Sequence, residues 1–367
     1  MRCVTSSFSA LTASAVLLLG CDNGRSLEPS SGPDGADALA RRPSGFATVS
    51  ALPELRGGHG EAYAVDQAGS VIAGFSWDRS DRMIPVTWTL QDGAWRLTAL
   101  PYPASATGAT ARGVNDQGDV AGYDHPPTTR HALLWPSTGG LEVLGCDDFG
   151  EVHGISAAGR TVVGRGGAGG SPATAAVWQP GSCREDLPTL VTGGNATAHA
   201  VNGDATIVGG DAEDADGSLV PVRWTRLDGG WAIQQLDGRP GSVLGANSAG
   251  DLVGYVELPC SPTPCNGPSL GMVWYVDGSS RELGTLGGAS TTPRGINAAR
   301  EVVGVSGLAN GVGAPFFWSE TLGMRQLPAR SGGLAFAVSG ERPDGTRLVV
   351  GAGGRPFSAL SWVVRIP

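Results

Sequence analysis

The sequence predicts an all-β protein built from seven copies of one four-stranded unit. Seven tryptophans, each at the end of a short apolar run, recur at intervals of 43 to 50 residues. A glycine that closes a β-branched segment recurs in step with them. Four short strands in about 45 residues are typical of one blade of a β-propeller, so the repeat predicts a seven-bladed ring. The tryptophans are Trp88, Trp135, Trp178, Trp224, Trp274, Trp318 and Trp362, and the glycines are Gly74, Gly122, Gly164, Gly209, Gly254, Gly304 and Gly351.

The second copy shows how one unit divides into strands. A first strand is predicted from Ala111 to Asn115 and a second from Asp119 to Tyr123, with Gly118 in the turn between them. Asparagine and glycine tolerate left-handed φ, which suits a tight turn at this place. After a variable loop come the strand that ends at Trp135 and a fourth strand from Leu141 to Leu144. Short strands bounded by turn residues, without a helical apolar period, indicate a β-fold.

The two ends of the chain predict how the ring closes. The seventh copy ends at Pro367, five residues after Trp362, which leaves little chain for a fourth strand there. The segment Ala51–Leu55 before the first copy matches the fourth-strand segment Asp186–Leu190. We therefore predict that an N-terminal strand at Ala51–Leu55 completes the last blade, because a closed ring leaves no open strand edge to aggregate. An open solenoid or a β-helix is the alternative.

Residues 1–45 are expected to serve export and attachment. Residues 1–20 have the form of a secretory signal, with Arg2 ahead of the apolar stretch Ala10–Leu19, which is too short to span a bilayer. Leu18-Leu19-Gly20-Cys21 resembles the lipobox of bacterial lipoproteins, in which the cysteine is acylated after cleavage. Residues 21–45 contain few large apolar side chains and are predicted to be a flexible linker, followed by the propeller at 46–367.

This organisation predicts an exported lipoprotein held at the outer membrane, in the periplasm or at the cell surface. A plain cleaved signal or an uncleaved anchor is the alternative.

Four cysteines remain for the folded part once the signal and the lipobox are set aside. Cys146 and Cys183 lie one copy apart at a similar phase, and Cys260 and Cys265 bracket a short proline-containing loop. Disulfides are expected in an exported protein, but four cysteines allow three pairings and the sequence leaves the choice open.

Charge and motifs exclude several function classes. The chain has a net charge of −9, no lysine and no clustered basic stretch, which argues against a nucleic-acid partner. The acidic run 211–217 lacks the ligand spacing of an EF-hand, and no Cys-x2-Cys pair occurs, so no metal and no cofactor are predicted. No nucleophile elbow, zinc-protease motif or phosphate loop is present, so no catalytic residue is predicted.

Several segments are similar to the HAF extracellular repeat of bacteria. They are Leu283–Gly288, Arg294–Asn297, Val302–Gly304 and Phe316–Trp318. The resemblance covers residues 46–367, is close at the junction of the fifth and sixth copies, and is looser elsewhere. It implies an exported repeat protein and supplies no catalytic residue.

The sequence favours a binding or scaffold module over an enzyme. The seven tryptophans are expected to pack in the core, and the first strands end in triplets such as Gly-Val-Asn, which offer little to titrate. Loops between second and third strands share one face of a propeller and could form a binding surface. Its candidate residues are Trp77, Asp78, Arg79, His125, Arg130, Asp214, Asp216 and Arg355.

The expected protein is a monomer that is attached to the membrane through its lipid anchor and binds an unidentified envelope protein or glycan. The alternatives are a propeller-type glycan lyase or hydrolase, which needs acid and base groups that converge from several blades, and a purely structural spacer.

Overall fold

The computed structural model describes residues 45–56, 58–146, 149–167, 172–259, 267–329, 332–354 and 357–366. In these ranges the chain forms strands and turns only, and no helix there is long and apolar enough to cross a membrane. Residues 1–44 of the predicted signal and linker, which include Cys21, lie outside the described residues, as do Cys260, Cys265 and Arg355.

The strands form seven antiparallel four-stranded sheets, as the repeat predicts. Blade 1 contains β2 (Gly60–Val65), β3 (Val71–Trp77), β4 (Met83–Gln91) and β5 (Ala94–Ala99). Blade 2 contains β6 (Ala109–Val114), β7 (Val120–Asp124), β8 (Ala132–Trp135) and β9 (Glu142–Leu144). Blade 3 contains β10 (Gly150–Ile155), β11 (Val162–Gly166), β12 (Thr174–Trp178) and β13 (Glu185–Asp186). Blade 4 contains β14 (Ala196–Val201), β15 (Ile207–Glu213), β16 (Leu219–Leu227) and β17 (Gly230–Gln235).

The remaining three blades follow the same order along the chain. Blade 5 contains β18 (Gly241–Ala246), β19 (Leu252–Glu257), β20 (Ser269–Trp274) and β21 (Ser280–Glu282). Blade 6 contains β22 (Gly287–Ile296), β23 (Val302–Leu308), β24 (Gly313–Ser319) and β25 (Gly323–Gln326). Blade 7 contains β26 (Gly333–Val338), β27 (Thr346–Gly353), β28 (Ser358–Arg365) and the N-terminal β1 (Ala47–Ala51).

The first strands of the seven blades surround a central channel. Each of them contacts the first strands of both neighbouring blades, and the contact between β2 and β26 completes the circle. Strand β1 pairs with β28 in an antiparallel register that places Val49 opposite Trp362. The N-terminal strand therefore closes the ring, as predicted.

The closing strand lies four residues earlier than the predicted segment Ala51–Leu55. It ends at Ala51, and the next residue, Leu52, is buried with its amide donating to the Ala359 carbonyl at 2.9 Å. The Pro53 carbonyl accepts a hydrogen bond from the Trp88 indole of blade 1 at 2.6 Å. Proline has no amide hydrogen for a strand ladder, so the Leu-Pro pair marks the connection to the next blade and not the strand itself.

The recurring tryptophans form the core between blades. Each of the seven is at most 4% exposed. Four of their indoles donate to the carbonyl of a proline just before their own blade, which satisfies a polar group that burial would otherwise leave unpaired. These bonds join Trp88 to Pro53, Trp135 to Pro101, Trp224 to Pro188 and Trp362 to Pro328. The packing interpretation of the tryptophan repeat is confirmed.

Three of the polar residues that follow first strands close a turn and join neighbouring blades: Asn115, Asn247 and Asn297. In blade 2 the Asn115 side-chain oxygen accepts from the backbone amides of Gln117 and Asp119. Its amide nitrogen donates to the carbonyl of Gly159 in blade 3 at 2.7 Å. These asparagines therefore serve the ring structurally.

One of the pairings that the sequence left open forms in the structure. Cys146 follows β9 and Cys183 precedes β13, and the two form a disulfide with their Cα atoms 5.1 Å apart. The bond joins the outer strands of blades 2 and 3.

Candidate functional site

Every first strand carries a β-bulge at the same position. A bulge leaves one residue out of the ladder and redirects its side chain. Because the first strands are innermost, the seven bulged side chains line the channel, and each is partly exposed there. In ring order from blade 1 they are Tyr63, Arg112, His153, His199, Leu244, Arg294 and Phe336.

This ring corrects the expectation that the channel offers little to titrate. That expectation considered only the last three residues of each first strand and its turn, whereas the bulged residue stands immediately before them. One feature of the sequence indicates the bulge, namely the recurring glycine of the second strand. A Cβ atom on Gly122 would clash with the carbonyl oxygen of Thr110, two residues before the bulge at Arg112.

In blade 4 the residue in the same structural place is Gly210, which lies opposite Ala198. The sequence repeat had assigned this role to Gly209, whose absent Cβ would instead meet Val243 of blade 5.

Four of the bulged residues form a continuous arc in which two arginines flank two aromatic side chains. We call it the arginine arc: Arg294, Phe336, Tyr63 and Arg112. The Arg112 guanidinium carbon lies 4.1 Å from the centre of the Tyr63 ring, and that of Arg294 lies 5.4 Å from the centre of the Phe336 ring. The two ring centres are 5.1 Å apart. Stacking over an aromatic face holds each guanidinium in place without neutralising it.

Arginines at the channel have no carboxylate partner among the described residues, unlike several arginines elsewhere. Within the described residues, Arg112, Arg294 and Arg165 of β11 form no ion pair and no hydrogen bond, and the Nε atoms of Arg165 and Arg294 are buried without an acceptor. Outside the channel, by contrast, Arg160 pairs with Asp119 at 2.8 Å. An unpaired buried donor costs about 1–3 kcal/mol, so this arrangement favours an incoming acceptor.

Burial lowers the pKa of Arg294, and the positive charge of Arg112 lowers it further. Glu61 lies two residues before Tyr63 and is the carboxyl group that interacts with both guanidiniums. Burial raises the pKa of Glu61, an effect that the Tyr63 hydroxyl, Arg112 and Arg294 only partly offset. One carboxyl with a raised pKa leaves the arginine arc with net positive charge.

A chain of hydrogen bonds continues from the arc along the channel wall. Ser242 Oγ donates to Asp211 Oδ2 at 2.7 Å, and His199 Nε2 lies 2.8 Å from the same oxygen. His199 Nδ1 lies 3.3 Å from His153 Nδ1. A carboxylate only accepts, so His199 carries its hydrogen on Nε2 and, when neutral, accepts through Nδ1 from His153.

This arrangement leaves His153 Nε2 without a hydrogen. Nε2 has no partner among the described residues and is not among their buried unpaired atoms, so it is open to the channel. Burial, the neighbouring His199 and the positive charge of Arg112 hold the pKa of His153 well below its usual range. His153 is therefore a neutral base at pH 7.

Two of the loop residues that the sequence singled out reach the channel wall. His125 Nε2 lies 2.8 Å from Thr110 Oγ1, and burial followed by the charge of Arg130 lowers the pKa of His125 to about 4. Arg130 itself pairs with Glu151 of β10 at 2.6 Å. Both side chains are thus engaged in supporting the first strands.

The other loop candidates are scattered over the rim. Asp78 and Asp214 accept backbone amides of their own loops, at Ser80 and Asp216 respectively, and so close turns. Trp77 packs edge-on against Phe75 with ring centres 6.4 Å apart, while Arg79 and Asp216 are exposed. The structure does not bring these residues together into one surface. Within the described ranges, no group of three or more His, Cys, Asp or Glu side chains could hold a metal ion.

Comparisons with known proteins support the fold but identify no family. No family model matches the sequence, and no curated protein matches it. Among solved structures, the β-propeller domain of the Trilobed protease from Pyrococcus furiosus, described as having an open velcro topology, is 10% identical with a TM-score of 0.52, covering 86% of this chain and 93% of that one.

Two further structures have lower TM-scores. A prolyl endopeptidase is 13% identical with a TM-score of 0.49, covering 84% of this chain and 47% of that one. TolB from Acinetobacter baumannii is 12% identical with a TM-score of 0.39, covering 59% of this chain and 52% of that one. The chain spans about half the length of these two proteins. The comparison with the Trilobed protease domain supports a β-propeller, and the sheet topology shows that this one has seven blades.

Proposed function

We propose that this protein is an exported, lipid-anchored β-propeller that binds a carboxylate-bearing envelope glycan in its central channel. The observation that carries the proposal is a set of arginines with no ion pair among the described residues: Arg112 and Arg294 at the bulges, and Arg165 on the adjacent strand β11. Guanidinium groups recognise carboxylates through paired, charge-assisted hydrogen bonds.

The electrostatics of the wall support an anionic ligand. Arg112 and Arg294 repel each other across the arginine arc, and Glu61 neutralises them incompletely. A bound carboxylate would supply the missing negative charge and the missing acceptors together. Such pairing is stronger in a partly buried channel than on an open surface, because the effective dielectric constant is lower.

The shape of the site supports a slender ligand. The arc lies on the innermost strands, and seven blades surround it, so the occupant has to enter the channel end-on. A sugar chain meets this requirement, and the rings of Tyr63 and Phe336 offer apolar contact between the two arginines. A folded partner protein would reach the arc only through an acidic segment, which the experiment below distinguishes.

Replacing Arg112 is expected to weaken glycan binding. In Arg112→Gln, an oligomer of galacturonate should bind at least tenfold more weakly by calorimetry, because a hydrogen bond to a charged group contributes about 1.5–3 kcal/mol. The matched control is Arg96→Gln, on the exposed outer strand β5, which should bind like the wild type. Equal effects of the two changes, or binding of an acidic peptide with no binding of acidic sugars, would contradict the proposal.

The anchor part of the proposal predicts a lipid on Cys21. In a bacterial host supplied with labelled palmitate, the wild type should incorporate label and Cys21→Ser should not, since the acylated cysteine is the residue that follows the cleavage site. The change should also move the protein from the membrane to the soluble fraction, because acyl chains supply the membrane affinity. Cys3→Ser, within the signal, is the matched control and should be labelled normally. Label retained in Cys21→Ser would rule out lipidation at this residue.

A further inference from the structure

We propose that the channel also cleaves a uronate-containing glycan by β-elimination, with His153 as the base, Arg112 as the carboxylate ligand and Tyr63 as the acid. This inference rests on the proposed function, because the carboxylate that the arginine arc binds would be that of the reacting sugar. The three residues occupy the same bulge position in blades 1, 2 and 3, so Arg112 stands between the acid and the base.

The neighbours of His153 fix the tautomer that lets it act as the base. Asp211 holds His199 through Nε2, and His199 in turn receives the Nδ1 hydrogen of His153, which fixes the tautomer with a bare Nε2 in the channel. Asp211 is itself held by Ser242 of the next blade. His199, Asp211 and Ser242 are therefore positioning residues. Together, residues of three blades orient the Nε2 lone pair of His153.

The arginines supply the electrostatic part of the reaction. The hydrogen on the carbon next to a carboxylate is hard to remove while the carboxylate keeps its charge. Pairing with Arg112, with Arg165 on the neighbouring β11, stabilises the negative charge that develops on the carboxylate as this hydrogen leaves. Among the residues that the structure describes, none forms a competing ion pair with these arginines, so no such pair has to be broken for the substrate to bind.

The step balances without any co-reactant. His153 Nε2 takes the proton from the carbon next to the carboxylate, and the electron pair of that C–H bond forms a double bond to the next ring carbon. The bond from that carbon to the glycosidic oxygen breaks, and the leaving oxygen takes the proton of the Tyr63 hydroxyl. Water returns the proton from His153 to Tyr63 for the next turnover. Burial raises the pKa of Tyr63, so the hydroxyl is protonated at neutral pH and available as the acid.

The carboxylates of the channel favour elimination over hydrolysis. Glycoside hydrolysis uses two carboxyl groups with separate roles. Glu151 is paired with Arg130 at 2.6 Å, and Asp211 accepts from His199 and Ser242. Glu61 accepts a hydrogen bond from the Tyr63 hydroxyl, so each of these three carboxyl groups already has a partner and a free hydrolytic pair is missing.

The test uses the full chain with oligomers of galacturonate and of alginate as probes. Elimination creates a double bond conjugated to the carboxylate, so ultraviolet absorbance should rise together with the number of new chain ends. His153→Gln should lower the rate at least about 100-fold while binding is kept, because a general base typically contributes that much. The matched control Leu244→Gln places the same side chain at the equivalent bulge of blade 5, outside the arginine arc, and should keep the wild-type rate.

Tyr63→Phe provides a second variant that keeps the ring under Arg112 and removes only the hydroxyl, and it should also lose the rate and keep binding. Thermal melting checks that each variant is folded. Binding of an oligomer without the absorbance change overturns the elimination and leaves the proposed function standing. New reducing ends without the absorbance change indicate hydrolysis and also overturn it. Failure to bind any acidic oligomer overturns both proposals.

Discussion

A chain that lacks residues 45–56 is expected to lose at least about 5 kcal/mol of its free energy of unfolding, because one deletion removes three kinds of contact. Strand β1 pairs with β28 over five residues. Leu52 is buried at 3% exposure in the core shared by blades 7 and 1. The Pro53 carbonyl accepts the indole hydrogen of Trp88.

Deletion of residues 22–44 is the control for this experiment. Their composition predicts no core contribution, so their loss should leave the melting midpoint unchanged. Circular dichroism melting of the two deletion proteins and the wild type measures the difference directly. Similar, small shifts for both deletions would mean that the ring does not depend on its N-terminal strand.

The periodic part of the fold could be predicted from the sequence because every blade packs against its neighbour in the same way. Trp224 and its six equivalents bury the same indole, and the repeat survives in the sequence because a smaller side chain would leave a cavity. The closing strand was predicted four residues too late because Leu52-Pro53 is the most repetitive segment near it. That segment recurs because it connects one blade to the next. Its Pro53 carbonyl accepts the indole hydrogen of Trp88.

The candidate site was harder to predict because it consists of the residues that differ between blades. Alignment of the copies would have placed His153 and His199 at one position, and Arg112 and Arg294 with them. The sequence alone shows neither that this position bulges into the channel nor that these arginines have no carboxylate partner among the described residues. Loop polarity selected candidates such as Asp78, whose carboxylate closes its own turn and pairs with Arg82 at 2.7 Å.

Gly122→Ala is expected to lower the free energy of unfolding by about 3 kcal/mol, the upper part of the range for overpacked sites. The atoms that a new Cβ would meet are all backbone, the Thr110 carbonyl and the Ala111 Cα, so no side chain can move aside. The matched control is Gly238→Ala, where a Cβ meets nothing within 4 Å, and it should leave stability nearly unchanged. Urea unfolding of the two variants measures the difference. Equal stability of both would show that the second-strand glycine does not support the bulge.

The same substitution also tests the link between the repeat and the site. If Gly122→Ala still folds, the first strand has to move away from β7, and Arg112 moves with it because it is the bulged residue of that strand. Binding of acidic sugars should then weaken in Gly122→Ala at temperatures where the variant is folded, although Gly122 itself contacts no ligand. Gly238→Ala should bind normally. The glycine that makes the repeat visible in the sequence would thus be the residue that allows each blade to present one side chain to the channel.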